Sequence, residues 1–220
     1  VAFLLMLYPA KHNYEPLNIV HTGVSDIQEF YSLEDEALKL KDRITILGFL
    51  GKVPLKNATA ASNLKELVYD KFKGFKKFQV VIIVTEGTED EVEALKREVN
   101  TYEDLKYWHY AYGSPEEIRA LFKSLRKEIN LRDDLSTDHI FIIDKDLNQR
   151  GRIDGRTKKE IESNQPRYSV YSYNTIKVAD IKNKMSEDIR ILFTEYRQKR
   201  KGKFDASSTR RAQDLKQDNE

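Results

Sequence analysis

The sequence predicts an α/β fold, a sandwich around a mixed central sheet, with a helical extension towards the C-terminal end. Three observations carry that expectation. Apolar and β-branched runs recur at residues 43–50, 79–85, 105–111 and 139–144, and near-continuous runs of this kind suit strands covered on both faces. Amphipathic stretches that open with helix-start residues lie between them. The last run turns through residues 145–148 into another extended piece at 149–153, the pattern of an antiparallel hairpin.

Taken in order, residues 17–20 and 27–31 read as short extended pieces, and 43–50 as a fully buried central strand. A Gly/Pro loop at 51–57 leads into a helix from about Thr59 to Phe72, with Leu64, Leu67, Val68 and Phe72 on one face. The second buried strand spans 79–85. Thr88, followed three residues later by Glu91, forms a capping-box pattern. The helix it opens turns Val92, Leu95 and Val99 inward. In the third strand, 105–111, alternation sends Tyr107, His109 and Ala111 to one face and Trp108, Tyr110 and Tyr112 to the other. This aromatic cluster therefore reads as packing rather than as a ligand platform. Ser114 and Pro115 supply the cap and first position of another helix. With the strand at 139–144 and the closing hairpin, the order β-α-β-α-β-α-β-β is the thioredoxin-like arrangement. Past Gly155 a polar stretch leads to the aromatic segment 168–173. A long helix follows from about Thr175 to Arg200, striped by Ile176, Ala179, Ile181, Ile189, Leu192 and Phe193. The expected division is residues 1–16, a domain at 17–165, the extension at 166–200 and a polar tail at 201–220.

Composition excludes more than it selects. The 220 residues fit one domain with appendages, and 40% apolar against 34% charged residues still allows one core. A net charge of +2 gives no global footprint of a nucleic-acid binder. The absence of cysteine excludes thiolate nucleophiles, disulfides, Fe–S clusters and Cys-based zinc sites. Thiol-disulfide oxidoreductase and cysteine peroxidase activities go with them, while the compartment stays open. His12, His21, His109 and His139 are scattered without metal-ligand spacing, and no Walker loop, nucleophile elbow, zincin helix or EF-hand loop is present. The basic run Arg197, Lys199, Arg200, Lys201 and Lys203 complements a helix C-terminus. Phosphate or anionic-lipid contact is the competing reading, weakened by Asp205, Asp214 and Asp218 behind it. The apolar run at residues 1–8 stops at Pro9, well short of the ~20 residues a bilayer span needs. Two readings stand for it: a short buried strand, or the end of a signal segment or membrane anchor with Tyr8 and Lys11 at its interfacial edge.

Four segments in order carry a family resemblance. They are Leu47-Gly48-Phe49-Leu50-Gly51, Tyr112-Gly113-Ser114-Pro115-Glu116-Glu117-Ile118, Thr137-Asp138-His139 with the strand behind it, and Asp144-Lys145-Asp146-Leu147-Asn148 through Gly155-Arg156. In these, residues 41–156 resemble the Sco/SenC family, thioredoxin-fold copper chaperones that assist cytochrome oxidase assembly. The segments match, respectively, the stretch before the copper cysteines, a helix entry, the copper-histidine segment and the closing hairpin. The family's C-x-x-x-C pair falls on Lys52 and Lys56, and ammonium groups cannot ligate Cu(I), which takes soft thiolate or thioether donors. Only His139 of the three ligands remains, and a lone imidazole more often makes a structural hydrogen bond.

The expectation is thus a non-redox thioredoxin-fold protein without catalytic residues or cofactor. It is a binding or assembly accessory, membrane-tethered or exported in a bacterial cell envelope or periplasm, whose partner is a protein such as a membrane or respiratory complex. The contrasting expectation is an anion or small-molecule binder, or an enzyme, using Lys52, Lys56 and His139. These three are placed together on one exposed edge where a helix start favours anions. A residual metal binder through His139 is the second contrast.

Overall fold

Strand β2 (Ile44–Gly51) is buried at every residue, because both faces of its sheet are covered. Ile44, Ile46 and Leu50 point into one core and Leu47 and Phe49 into the other, the period-two alternation of a strand. The computed structural model describes residues 16–34, 37–99 and 105–200. Residues 1–8 with Tyr8 and Lys11, His12, and the tail with Lys201, Lys203, Asp205, Asp214 and Asp218 lie outside them.

Besides β2, the strands are β1 (Asn18–His21), β3 (Phe78–Thr85), β4 (Trp108–Gly113), β5 (Thr137–Ile143), β6 (Gln149–Gly151) and β7 (Tyr173–Asn174). Their order is β1-β6-β5-β2-β3-β4, with β7 paired to the start of β5. β2, β3 and β4 run parallel, whereas β5 is antiparallel to both β2 and β6. Parallel neighbours require crossovers, and helices supply them. Helix α1 opens at Ala58–Leu64 after a 3₁₀ turn, Pro54–Asn57, and continues through a π-helical turn, Lys65–Tyr69, to Asp70–Phe72. Helix α2 is Glu89–Val99 and α3 is Pro115–Lys123. A short α4, Lys158–Glu162, follows the hairpin. The last helix, α5, opens at Val178, passes through a π-helical turn at Asp180–Met185 and runs on as Ser186–Arg200.

This is the mixed α/β sandwich the sequence predicts, with the C-terminal helix present. Helices α1, α2 and α5 cover one face of the sheet and α3 the other. Ser114 caps α3 in a full capping box with Glu117, and Pro115 stands in the first turn. Trp108, Tyr110 and Tyr112 enter the α1 side and Ala111 the α3 side, as alternation requires.

Several local expectations need correction. Residues 27–31 do not form a strand; Asp26 Oδ1 accepts from the amides of Ile27 and Leu40, 2.9 and 2.7 Å, and holds the segment as a turn. Only Tyr31 makes a bridge, to Tyr112. Tyr107 precedes β4 and packs on the α1 side. The Thr88 hydroxyl donates to the Thr85 carbonyl at 2.7 Å. The last helix starts three residues later than expected, at Val178, because Thr175 is bonded through its amide and hydroxyl to the Asp138 carbonyl, 2.7 Å each. Asn174 Oδ1 meanwhile accepts from the amides of Ile176 and Lys177. Ile176, before the helix, and Ala179, in its first turn, are exposed, while Ile181, Met185, Ile189 and Leu192 fill the core.

Helix α5 is fastened by buried charge as well as by apolar packing. Asp188 and Glu195, seven residues apart and therefore on one helix face, are both fully buried. Arg150 donates to Asp144 at 3.0 Å, to Glu195 at 2.5 Å and to the Leu17 carbonyl at 2.5 Å. Two residues on, Arg152 bonds Asp188, whose second oxygen accepts from the Tyr173 hydroxyl at 2.5 Å. Burial pulls the Arg150 guanidinium down, but Glu195 and Asp144 outweigh it and hold the charge above its ordinary value. Burial pushes the Asp188 carboxyl up, against the pull of Arg152.

Candidate functional site

The loop leaving β2 is fixed by one glycine. Gly51 has φ +63°, and a Cβ there would sit 2.0 Å from the Asp134 carbonyl oxygen. A side chain would be strained in that conformation and would collide with backbone. The close approach lets the Lys52 amide donate to the same carbonyl at 2.7 Å. Pro54 is buried beneath the 3₁₀ turn, whereas Lys52, Leu55 and Lys56 face solvent. Opposite them, Asp134 Oδ1 accepts from the Ser136 amide at 3.0 Å and the Ser136 hydroxyl at 2.6 Å. Burial lifts the Asp134 carboxyl, but the Ser136 hydrogen bonds and then Arg132 and Lys56 hold it below its ordinary value. Arg132 pairs with Asp138 as well.

His139 lies on the same end of β5 but turns elsewhere. Its partners come from β7 and the segment before it: Nδ1 meets Ser172 Oγ at 2.8 Å, and Asn174 Nδ2 lies 3.4 Å from Nε2. An amide donor at Nε2 selects the neutral tautomer, with Nδ1–H donating to Ser172. Burial lowers the imidazole below its ordinary value; Asp138 opposes this and Lys177 adds to it. Beside the ring is a cavity of about 200 Å³ bounded by Glu128, Tyr168, Tyr171, Asp180 and Lys184. The structure thus brings the loop of Lys52 and Lys56 against Asp134, and His139 against Ser172 and Asn174. Among the described residues, no hydrogen bond or ion pair joins either lysine to the imidazole. Both ring nitrogens face polar side chains, and among the described residues no group of three His, Asp or Glu side chains gathers as a metal-ligand set.

Sequence reasoning missed the partners of His139, because they arrive from a polar stretch more than thirty residues downstream. It also missed a cluster at the opposite end of the sheet. There a groove of about 620 Å³ is lined by Phe75, Lys76, Lys77, Lys145, Tyr196 and Arg200 among others. Only its α5 residues were visible, as a basic run. Among the described residues no helix is long and apolar enough to cross a membrane.

Solved structures share this architecture. BsSco, described as a member of the Sco family of cytochrome c oxidase assembly proteins, matches with a TM-score of 0.50 at 13% identity, over 81% of this chain and 97% of that one. A SCO1/SenC family lipoprotein from Bacillus anthracis matches with a TM-score of 0.46 at 17% identity, over 81% and 98%. No protein-family model and no curated protein matches the sequence. The chain has a Sco-like thioredoxin fold, and it has no cysteine.

Proposed function

We propose that this protein is a non-redox binding or assembly accessory, held at or exported across a bacterial membrane, with a protein partner such as a respiratory complex. One observation carries the reading. The β2–α1 loop presents Lys52, Leu55 and Lys56 to solvent on a backbone pinned to Asp134. Leu55 is 39% exposed, and Ile176 and Val178 are exposed beyond β7, with Lys177 between them. Fixed apolar side chains among lysines suit contact with an acidic, partly apolar protein surface. No thiol or thioether stands in that loop to take up Cu(I). The fold of BsSco, a member of the Sco family of cytochrome c oxidase assembly proteins, supports the assembly role by analogy of fold.

The test is assembly in the native host. Cells lacking the chain should show reduced assembled oxidase, restored by the wild type and not by Lys52→Glu/Lys56→Glu produced at equal level. Normal oxidase in the deletion strain would overturn the reading. The purified protein should also show no disulfide reductase activity and no sub-micromolar Cu(I) binding that His139→Ala removes.

A second reading is an anion site at Lys52 and Lys56, favoured by Asn57, which leaves the start of α1 without a side-chain cap. Phosphate should then shift amide resonances at 51–59, and the Lys52→Ala/Lys56→Ala variant should not respond.

A further inference from the structure

The groove at the opposite end of the sheet joins three pieces of chain that are far apart in sequence. The turn before β3 supplies Phe75, Lys76 and Lys77, the turn after β5 supplies Lys145, and the last turns of α5 supply Tyr196, Arg197, Lys199 and Arg200. Lys145 lies 4.6 Å and Lys199 4.9 Å from the Tyr196 ring centre. Lys199 also pairs with buried Glu195 at 3.0 Å. Burial lowers the Lys145 ammonium, and the charges of Lys77 and Arg200 lower it further, against the weaker pull of Asp146 and Asp42. The cations therefore crowd one another around an aromatic floor, a surface complementary to an array of anions.

The aromatic geometry and the path of the chain select the occupant. Phe75 and Phe193 stack on each other at 4.0 Å and 12°, so these two ring faces are already used and do not offer the open platform on which a nucleic-acid base stacks. Phe75 is 38% exposed, an apolar side chain of the kind that enters the headgroup–acyl boundary. Leu17 is linked to this end through the buried network: its carbonyl accepts from Arg150, the guanidinium that also holds Glu195, the residue before Tyr196. From the apolar run at 1–8 to Leu17 the chain spans nine residues, a reach of at most about 30 Å. A membrane that takes up that run lies within this distance of Leu17.

We propose that this groove is the face on which the protein lies against an anionic bilayer, with its lysines and arginines over phospholipid headgroups and Phe75 and Tyr196 in the interfacial layer. The proposal rests on the membrane reading given above. Each cation at an anionic surface is worth about fivefold in partition, so a two-charge change is worth about thirtyfold. The experiment is vesicle flotation of the full chain, on phosphatidylcholine alone and on vesicles in which phosphatidylglycerol replaces part of it.

The wild type should bind the anionic vesicles preferentially and release at high salt. Lys77→Gln/Arg200→Gln should weaken that binding about thirtyfold, and Phe75→Ser several-fold, while thermal unfolding confirms that each variant is folded. The Leu4→Asp/Leu7→Asp variant separates the two ideas. If it abolishes binding while the groove variants bind as wild type, the tether stands and the groove proposal falls. If anionic preference survives it and is lost in the groove variants, the groove holds without the tether. Equal binding to both vesicle types overturns the proposal, as does retention of single-stranded oligonucleotide or polyglutamate without any binding to vesicles.

Discussion

The two ends of β2 treat charge in opposite ways. At its start, near Ile44, cations surround an aromatic groove, and directly beneath them Arg150, Asp144 and Glu195 are buried and mutually paired. At its far end, about 23 Å away at 3.3 Å per residue, Lys52 and Lys56 stand in solvent and burial lowers the His139 imidazole below its ordinary value. The difference separates charge that builds the fold from charge left available for contact. Buried ions must be paired because desolvation is severe, and losing one partner strands the other. Exposed ions contribute little to stability and can be exchanged at small cost. The corner that resembles a reaction site is thus the end with the least invested in its charges.

The comparison can be broken most forcefully at its buried end. Arg150→Met strands Asp144 and Glu195 and should destabilise the protein by about 3–5 kcal/mol, read from urea unfolding. A loss below about 1 kcal/mol would show that the network is not structural. At the far end the strongest effect should come from backbone. Gly51→Ala forces a side chain into φ +63° against the Asp134 carbonyl and should cost at least about 1–2 kcal/mol, with faster hydrogen exchange at the Lys52 amide. Unchanged exchange there would mean that the loop is held by something else.

A smaller effect is expected from His139. Burial depresses its pKa below the unfolded value of 6.5, so the unfolded chain takes up the proton more readily. The associated stability is complete above about pH 6.5 and is lost as pH falls through the depressed folded value. Between pH 7 and pH 5 the wild type should lose more stability than His139→Gln; parallel curves would remove the imidazole from the account. The smallest effect should be that of Lys52→Ala/Lys56→Ala, within about 0.5 kcal/mol of wild type. A larger loss would make these lysines part of the scaffold.

Much of the fold was legible because its strands are continuous apolar runs. Residues 43–50 and 79–85 could be little else, and Ser114-Pro115 with Glu117 announced α3 directly. What stayed hidden depended on contacts between distant segments. Thr175 looks like the start of a helix until Asp138 takes its amide and hydroxyl. Thr157 and Glu160 form a capping box in the structure, but α4 is too short for its periodicity to show. The candidate site was legible as a loop and a histidine. That Asp134 belongs with the lysines, and Ser172 and Asn174 with His139, follows only from strand pairing. Nothing in the sequence marks Arg150 as buried, since its partner Glu195 is 45 residues away.

That separation has a bearing on how the chain is made. Arg150 lies in a strand that pairs with β1 and β5, and Arg152 follows just after it, yet Asp188 and Glu195 leave the ribosome close to the end of the described residues. At ordinary synthesis rates the 45 residues between Arg150 and Glu195 take roughly 2–9 s to appear. During that interval the two guanidiniums cannot be desolvated with their full set of partners, so this side of the sheet stays open. Closure of this side of the sheet therefore waits for α5 to emerge.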